Sequence, residues 1–180
     1  MYLKIKNKLI FLAVLFILIP VYLFGFSHFT ANLKEYDKVS FERLEKILEM
    51  DLNPVEANVM VFDNIKEFCS YTGAPYWIKG FTNLSGIYIQ SKSLLNNEYK
   101  KTVLHELLHW TIKNNCSLPQ WYEEGLVCIV TGETENIKSI KPMENPEGFT
   151  TVNAENDWDL LSYELGCVKK VKKIIGEVEY

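Results

Sequence analysis

The chain has 180 residues, a net charge of -4, and 48% hydrophobic against 23% charged residues. That length and balance fit one globular domain with an appendage, and exclude a disordered or fibrous chain. No basic surface dominates, so nucleic acid is not an expected partner; the only basic run, Lys169, Lys170, Lys172 and Lys173, reads as a solvated helix face.

The first thirty residues differ in kind from the rest. Leu9 to Phe26 is an uncharged apolar run of 18 residues. As a helix it would be about 27 Å long, close to the thickness of a bilayer's hydrocarbon core. Lys4, Lys6 and Lys8 precede it, which predicts a cytoplasmic N-terminus and an exported remainder. A cleaved signal peptide would need small residues at its exit, and Phe29 stands where one should precede Ala31. The run is therefore read as an uncleaved signal anchor, with the protein a single-pass component of the cell membrane; cleavage would make it a secreted protein. The expected organisation is an anchor over 1–30, an amphipathic linker helix over 31–55 and a domain over 56–180.

Asn32 to Met50 places Leu33, Tyr36, Val39, Leu44, Ile47 and Leu48 on roughly one helical side, and Asn53-Pro54 ends the helix. Asn58 to Phe62 is a short β-branched strand. Asp63 or Asn64 caps a helix running to Gly73. After the turn Gly73-Ala74-Pro75, Trp77-Ile78 and Gly86 to Gln90 read as strands, joined by a turn over Asn83 to Gly86. Ser93 to Asn115 is the longest helical pattern. Pro119 starts another helix that reaches about Val130, Thr131 to Asn156 is a long loop, and a last helix runs from Asp157 toward Lys173. Strands before helices predict an α+β fold. Cys69, Cys116, Cys128 and Cys167 form no CxxC pair, so a cysteine zinc site is not expected; the sequence leaves open whether they are buried thiols or disulfides.

The chemistry is concentrated in Val103-Leu104-His105-Glu106-Leu107-Leu108-His109-Trp110. Histidines four apart on a helix stack on one face, where both can reach one Zn²⁺. Glu106 is rotated off that face and suits a general base acting on a water beside the metal. The surrounding apolar residues would bury these polar groups, which is costly unless something such as a cation pairs them. A catalytic zinc needs a third protein ligand and an open position. After a break at Asn114-Asn115, the helix from Pro119 carries Glu123 and Glu124, either of which could supply that ligand on spacing alone.

HExxH followed by Trp121-Tyr122-Glu123-Glu124-Gly125 resembles the gluzincin metallopeptidases, in particular the peptidase MA-like family. That family has HExxH and then a W-x-x-E-G helix. The resemblance, which spans about Val59 to Ile175, implies a small mixed sheet with an edge strand followed by a zincin-type helical part. It implies one zinc ion held by His105, His109 and Glu124, with Glu106 catalytic. It also implies that the last strand is an edge where an extended peptide substrate pairs, here Gly86, Ile87 and Tyr88, and that Tyr163, in Tyr163-Glu164-Leu165-Gly166, donates to the oxyanion. The expected activity is hydrolysis of peptide bonds outside the cytoplasm. The G-x-M-E-N stretch that holds a free amine in the related aminopeptidases does not precede His105, which favours an endopeptidase. Cys128 occupies the position of an orienting Asp in some clan members. The alternative is a zincin-like binding module without catalysis, although such a module would have no need of Glu106. Oligomeric state is not indicated by the sequence.

Overall fold

The computed structural model describes residues 25–176. It is an α+β arrangement built on a mixed four-stranded sheet. In chain order the elements are β1 (Phe26–Ala31), α1 (Leu33–Tyr36), α2 (Lys38–Leu48), β2 (Ala57–Phe62), α3 (Ile65–Thr72), β3 (Gly80–Asn83), β4 (Gly86–Ile89), α4 (Lys92–Leu95), α5 (Tyr99–Asn115), α6 (Gln120–Thr131) and α7 (Asp157–Ile175).

The sheet order is β1-β2-β4-β3. β1 runs antiparallel to β2, β2 parallel to β4, and β3 antiparallel to β4. Parallel neighbours need a crossover connection, and α3 lies within the one that joins β2 to the β3–β4 hairpin. Capped by the Asn64 side chain and stopped at Gly73, α3 matches the expected helix. One face of the sheet packs against α5 through Val59, Val61, Ile87 and Ile89, which belong to the main core with Leu107, Leu108, Ile112, Leu126 and Val127. The other face carries a smaller aromatic cluster of Phe62, Phe68 and Tyr88.

Four expectations are corrected. The stretch 26–31 is a strand paired residue by residue with Ala57–Phe62, so the anchor cannot extend to residue 30. The part of the apolar run before Gly25 lies outside the described residues. Among the described residues no helix is long and apolar enough to cross a membrane. The segment 31–55 is not a linker, because Leu33, Phe41 and Leu44 are fully buried in the main core. Asp37 divides its predicted helix in two, closing α1 and capping α2 through a side-chain bond to the Ser40 N–H. Trp77-Ile78 forms a turn, not a strand. The Ile78 N–H bonds to the Pro75 carbonyl, and Gln90 Nε2 donates to the carbonyls of Tyr76 and Ile78, so this segment hangs from a side chain beside the sheet. The strand of the hairpin that precedes the turn is Gly80–Asn83 instead. It takes the outer position, which makes β4 an inner strand with Gly86, Ile87 and Tyr88 all buried. Those three residues are therefore not an edge on which a peptide can pair.

Candidate metal centre

α5 carries His105, Glu106 and His109. Seventeen residues long, it ends at Cys116, three residues before Pro119. Asn115 fastens this end, accepting from the Asn53 N–H at 2.7 Å and donating to the Asn53 carbonyl at 3.0 Å. α6 then returns against α5 and brings Glu123 and Glu124 to the histidines. Behind it Gly125 lets α7 approach closely, since a Cβ there would lie 2.8 Å from the Cys167 carbonyl oxygen and 2.6 Å from Val171 Cγ2. This gives the glycine after Glu124 a packing reason: without it α6 could not sit between α5 and α7 at this depth.

The histidine side chains turn their Nε2 atoms toward one another at 3.1 Å. The Glu124 carboxylate closes the triangle, with Oε1 3.5 Å from His105 Nε2 and Oε2 3.5 Å from His109 Nε2. Each outer nitrogen has its own carboxylate. His109 Nδ1 is 2.5 Å from Glu123 Oε1, and His105 Nδ1 is 2.7 Å from Glu133 Oε2. A carboxylate can only accept, so each Nδ1 carries a proton, and in the neutral form of each ring it is Nε2 that presents a lone pair inward. Spacing alone left Glu123 and Glu124 equivalent; the fold gives them separate tasks, Glu124 facing both Nε2 atoms and Glu123 holding the back of His109.

The donor set fits zinc. His105, His109 and Glu124 each offer one ligand atom, all within 4.8 Å of one another. Atoms about 2.0–2.1 Å from a tetrahedral zinc lie about 3.3–3.4 Å apart, close to the observed separations. Glu124, at 3% exposure, is buried, as are His109, Glu123 and Glu106, a concentration of ionisable groups that is expensive without compensation. The protein alone compensates with protons. Burial by itself lowers the pKa of each imidazole. At His105 the Glu133 and Glu124 carboxylates reverse this and raise the pKa well above the usual histidine range; at His109, Glu124 and Glu123 raise it to about 9. Burial opposes ionisation of Glu124 too, but His109 and His105 hold its pKa far below the ordinary carboxylate range. Those protons occupy the place where a cation would provide the same balance.

Glu106 lies on the side of α5 that faces β3. Its Oε2 accepts a 2.6 Å hydrogen bond from the Thr82 hydroxyl. Tyr163 is elsewhere. It is 0% exposed, its hydroxyl has no hydrogen-bond partner, and its ring packs on Phe149 at 5.2 Å between centroids. Burial, then the neighbouring Cys167 and Glu124, push its pKa up. In this position no substrate could touch it, so the expected oxyanion donor is not available on the open side of the cluster. The next residue, Glu164, is electrostatically joined to the centre instead, pushed up to about 8 by burial and then by the Glu124 charge, with His105 opposing.

Glu123, as the partner of His109, and Glu133 are the functional residues that the sequence did not assign. Glu133 stands just past α6, where Gly132 adopts a left-handed conformation with φ of 67° and turns the chain back over His105. The position expected for an orienting Asp holds Cys128, whose thiol is a long 3.9 Å from Glu124 Oε1; Glu133 does the orienting from five residues further on. The four cysteines are free thiols. No family model, curated protein or solved structure matches the chain.

Proposed function

We propose that this protein is a zinc-dependent metallopeptidase of the gluzincin type, an endopeptidase hydrolysing peptide bonds of peptide or protein substrates outside the cytoplasm and tethered to the membrane by its N-terminal apolar run. One observation carries the proposal: two Nε2 atoms and one carboxylate converge on a common point while each imidazole is fixed from behind by its own acid. Such carboxylate–histidine pairs fix tautomer and ring orientation and raise ligand basicity. A site needed only for packing would gain nothing from burying four ionisable side chains in this orientation.

His105, His109 and Glu124 would hold the ion, leaving one position open. Bound there, zinc would act as a Lewis acid on the scissile carbonyl and lower the pKa of water toward about 7. Glu106 takes a proton from the water as its oxygen attacks the carbonyl carbon. When the C–N bond breaks, Glu106 returns that proton to the leaving amine nitrogen. Among the described residues, β3 is the unpaired edge of the sheet beside α5, so an extended substrate backbone is assigned to the outer side of Gly80–Asn83. Tyr163 has no part in these steps.

A peptide-library digest by the purified exported domain, repeated with a chelator and again after zinc is restored, tests the activity. Glu106→Gln is expected to keep stoichiometric zinc and lose essentially all hydrolysis. Full hydrolysis by that variant would remove Glu106 from the chemistry. Zinc binding with no cleavage by the wild type would favour a non-catalytic binding module.

A further inference from the structure

The general base needs a fixed carboxylate, and a glutamate side chain has three rotatable bonds. Nothing on α5 holds Glu106: its helical neighbours Leu107 and Leu108 are core residues, and the histidines are engaged with Glu123, Glu124 and Glu133. The contacts that fix it come from the edge strand. Thr82 Oγ1 donates to Glu106 Oε2 at 2.6 Å and also lies 3.3 Å from the Glu106 carbonyl oxygen, so one hydroxyl touches both the carboxylate and the main chain of the same residue. Two residues earlier, on the same face of β3, stands Gly80. A Cβ at Gly80 would come 2.5 Å from Glu106 Oε1, 2.6 Å from Cγ and 2.9 Å from Cδ. One carboxylate oxygen is thus hydrogen-bonded and the other rests against bare backbone.

We infer that Thr82 and Gly80 form a two-point cradle on β3 that sets the orientation of the Glu106 carboxylate, with Thr82 the positioning residue and Gly80 the space. The strand period of two makes the pairing, because residues 80 and 82 face α5 together while Phe81 faces the aromatic cluster. The same strand has the free outer edge, so a substrate lying on β3 would meet a base whose direction is set by that strand. A β-branched threonine serves this better than serine would, since its restricted χ1 presents the hydroxyl from a rigid position. The role rests on Glu106 being the base of the proposed hydrolase, whereas the cradle itself is a property of the folded chain.

Two measurements separate these. In the metal-free protein, a double-mutant cycle in denaturant with Thr82→Val and Glu106→Ala reads the contact without any catalysis. The two changes are expected to be non-additive, and additivity would overturn the cradle even if the enzyme were active. In the zinc-loaded protein, Thr82→Val is expected to lower kcat roughly 10- to 100-fold with KM and zinc stoichiometry unchanged, because misorienting a general base costs part of its contribution. Thr82→Ser should recover most of the loss. Gly80→Ala should lower kcat as well, by moving the carboxylate. A Thr82→Val enzyme with wild-type kcat would overturn the positioning role, as would an equal loss in Thr82→Ser and Thr82→Val. Non-additivity in the cycle with no cleavage by the wild type would leave the cradle standing and sink the hydrolase assignment instead.

Discussion

The two histidines of the centre are held in different ways. His109 lies deep: its Nδ1 meets Glu123 on the rigid body of α6, and Lys113, one turn further along α5, reaches the same Glu123 oxygen at 3.3 Å. His105 lies shallower, and its Nδ1 meets Glu133 beyond the end of α6, at a place reached only because Gly132 turns left-handed. The side chains of the first pair are 10% and 7% exposed, those of the second 14% and 22%. A buried acid loses little to solvent screening, whereas a more exposed one loses more. The difference sets a deep half of the centre, held by helix α6, against a shallower half held from the segment beyond it.

The comparison breaks most completely if a ligand is removed. His109→Ala is expected to abolish stoichiometric zinc by metal analysis; full retention would mean that the ligands are elsewhere. Removing the supporting acids sharpens the contrast. Glu123→Gln should weaken zinc about 100-fold in a competition assay and Glu133→Gln about 10-fold, the two ends of the range usual for such partners. Equal losses would erase the distinction between deep and shallow halves.

The smallest effect is a pH dependence of the metal-free protein. The folded pKa of His109 is raised to about 9 from an ordinary 6.5, so its contribution to stability is fully present below pH 6.5 and is lost as pH rises through about 9. Glu123 and Glu133 have lowered folded pKa values. Burial resists their ionisation, but His109 at Glu123 and His105 at Glu133 favour it. Their contribution is present above the ordinary carboxylate range near 4.5 and falls away as pH drops. Metal-free protein should therefore unfold most reluctantly between those limits, with its denaturation midpoint falling on both sides. Saturating zinc, which needs neutral imidazoles, should remove the alkaline fall. An alkaline fall that zinc leaves untouched would show that the histidine protons are not what the ion replaces.

The helices of the centre were legible because their signals are local. A four-residue histidine spacing, an asparagine break and a proline start specify α5 and α6 without reference to the rest of the chain. The sheet edge was not legible in this way. Trp77-Ile78 has strand-like side chains, and Gly80-Phe81-Thr82-Asn83 looks like turn material, yet the second forms β3. The reason is tertiary: β2 and β4 pair in parallel through a crossover containing α3, and the hairpin partner of β4 can then lie only on the far side. Glu133 was hidden because its task depends on a left-handed residue in what reads as a loop. The strand over 26–31 is hidden because Phe26 continues the hydrophobicity of the apolar run, and because its two phenylalanines stand three apart and not at the strand period of two.

The central claim is that one ion is held by His105, His109 and Glu124 and by no sulfur, although the Cys128 thiol lies near Glu124. Zinc-edge X-ray absorption of the loaded protein addresses this directly. The account predicts a shell of nitrogen and oxygen at about 2.0–2.1 Å, in which two imidazoles are recognised by their outer-ring scattering. A sulfur shell at about 2.3 Å, or a spectrum without histidine, would contradict it.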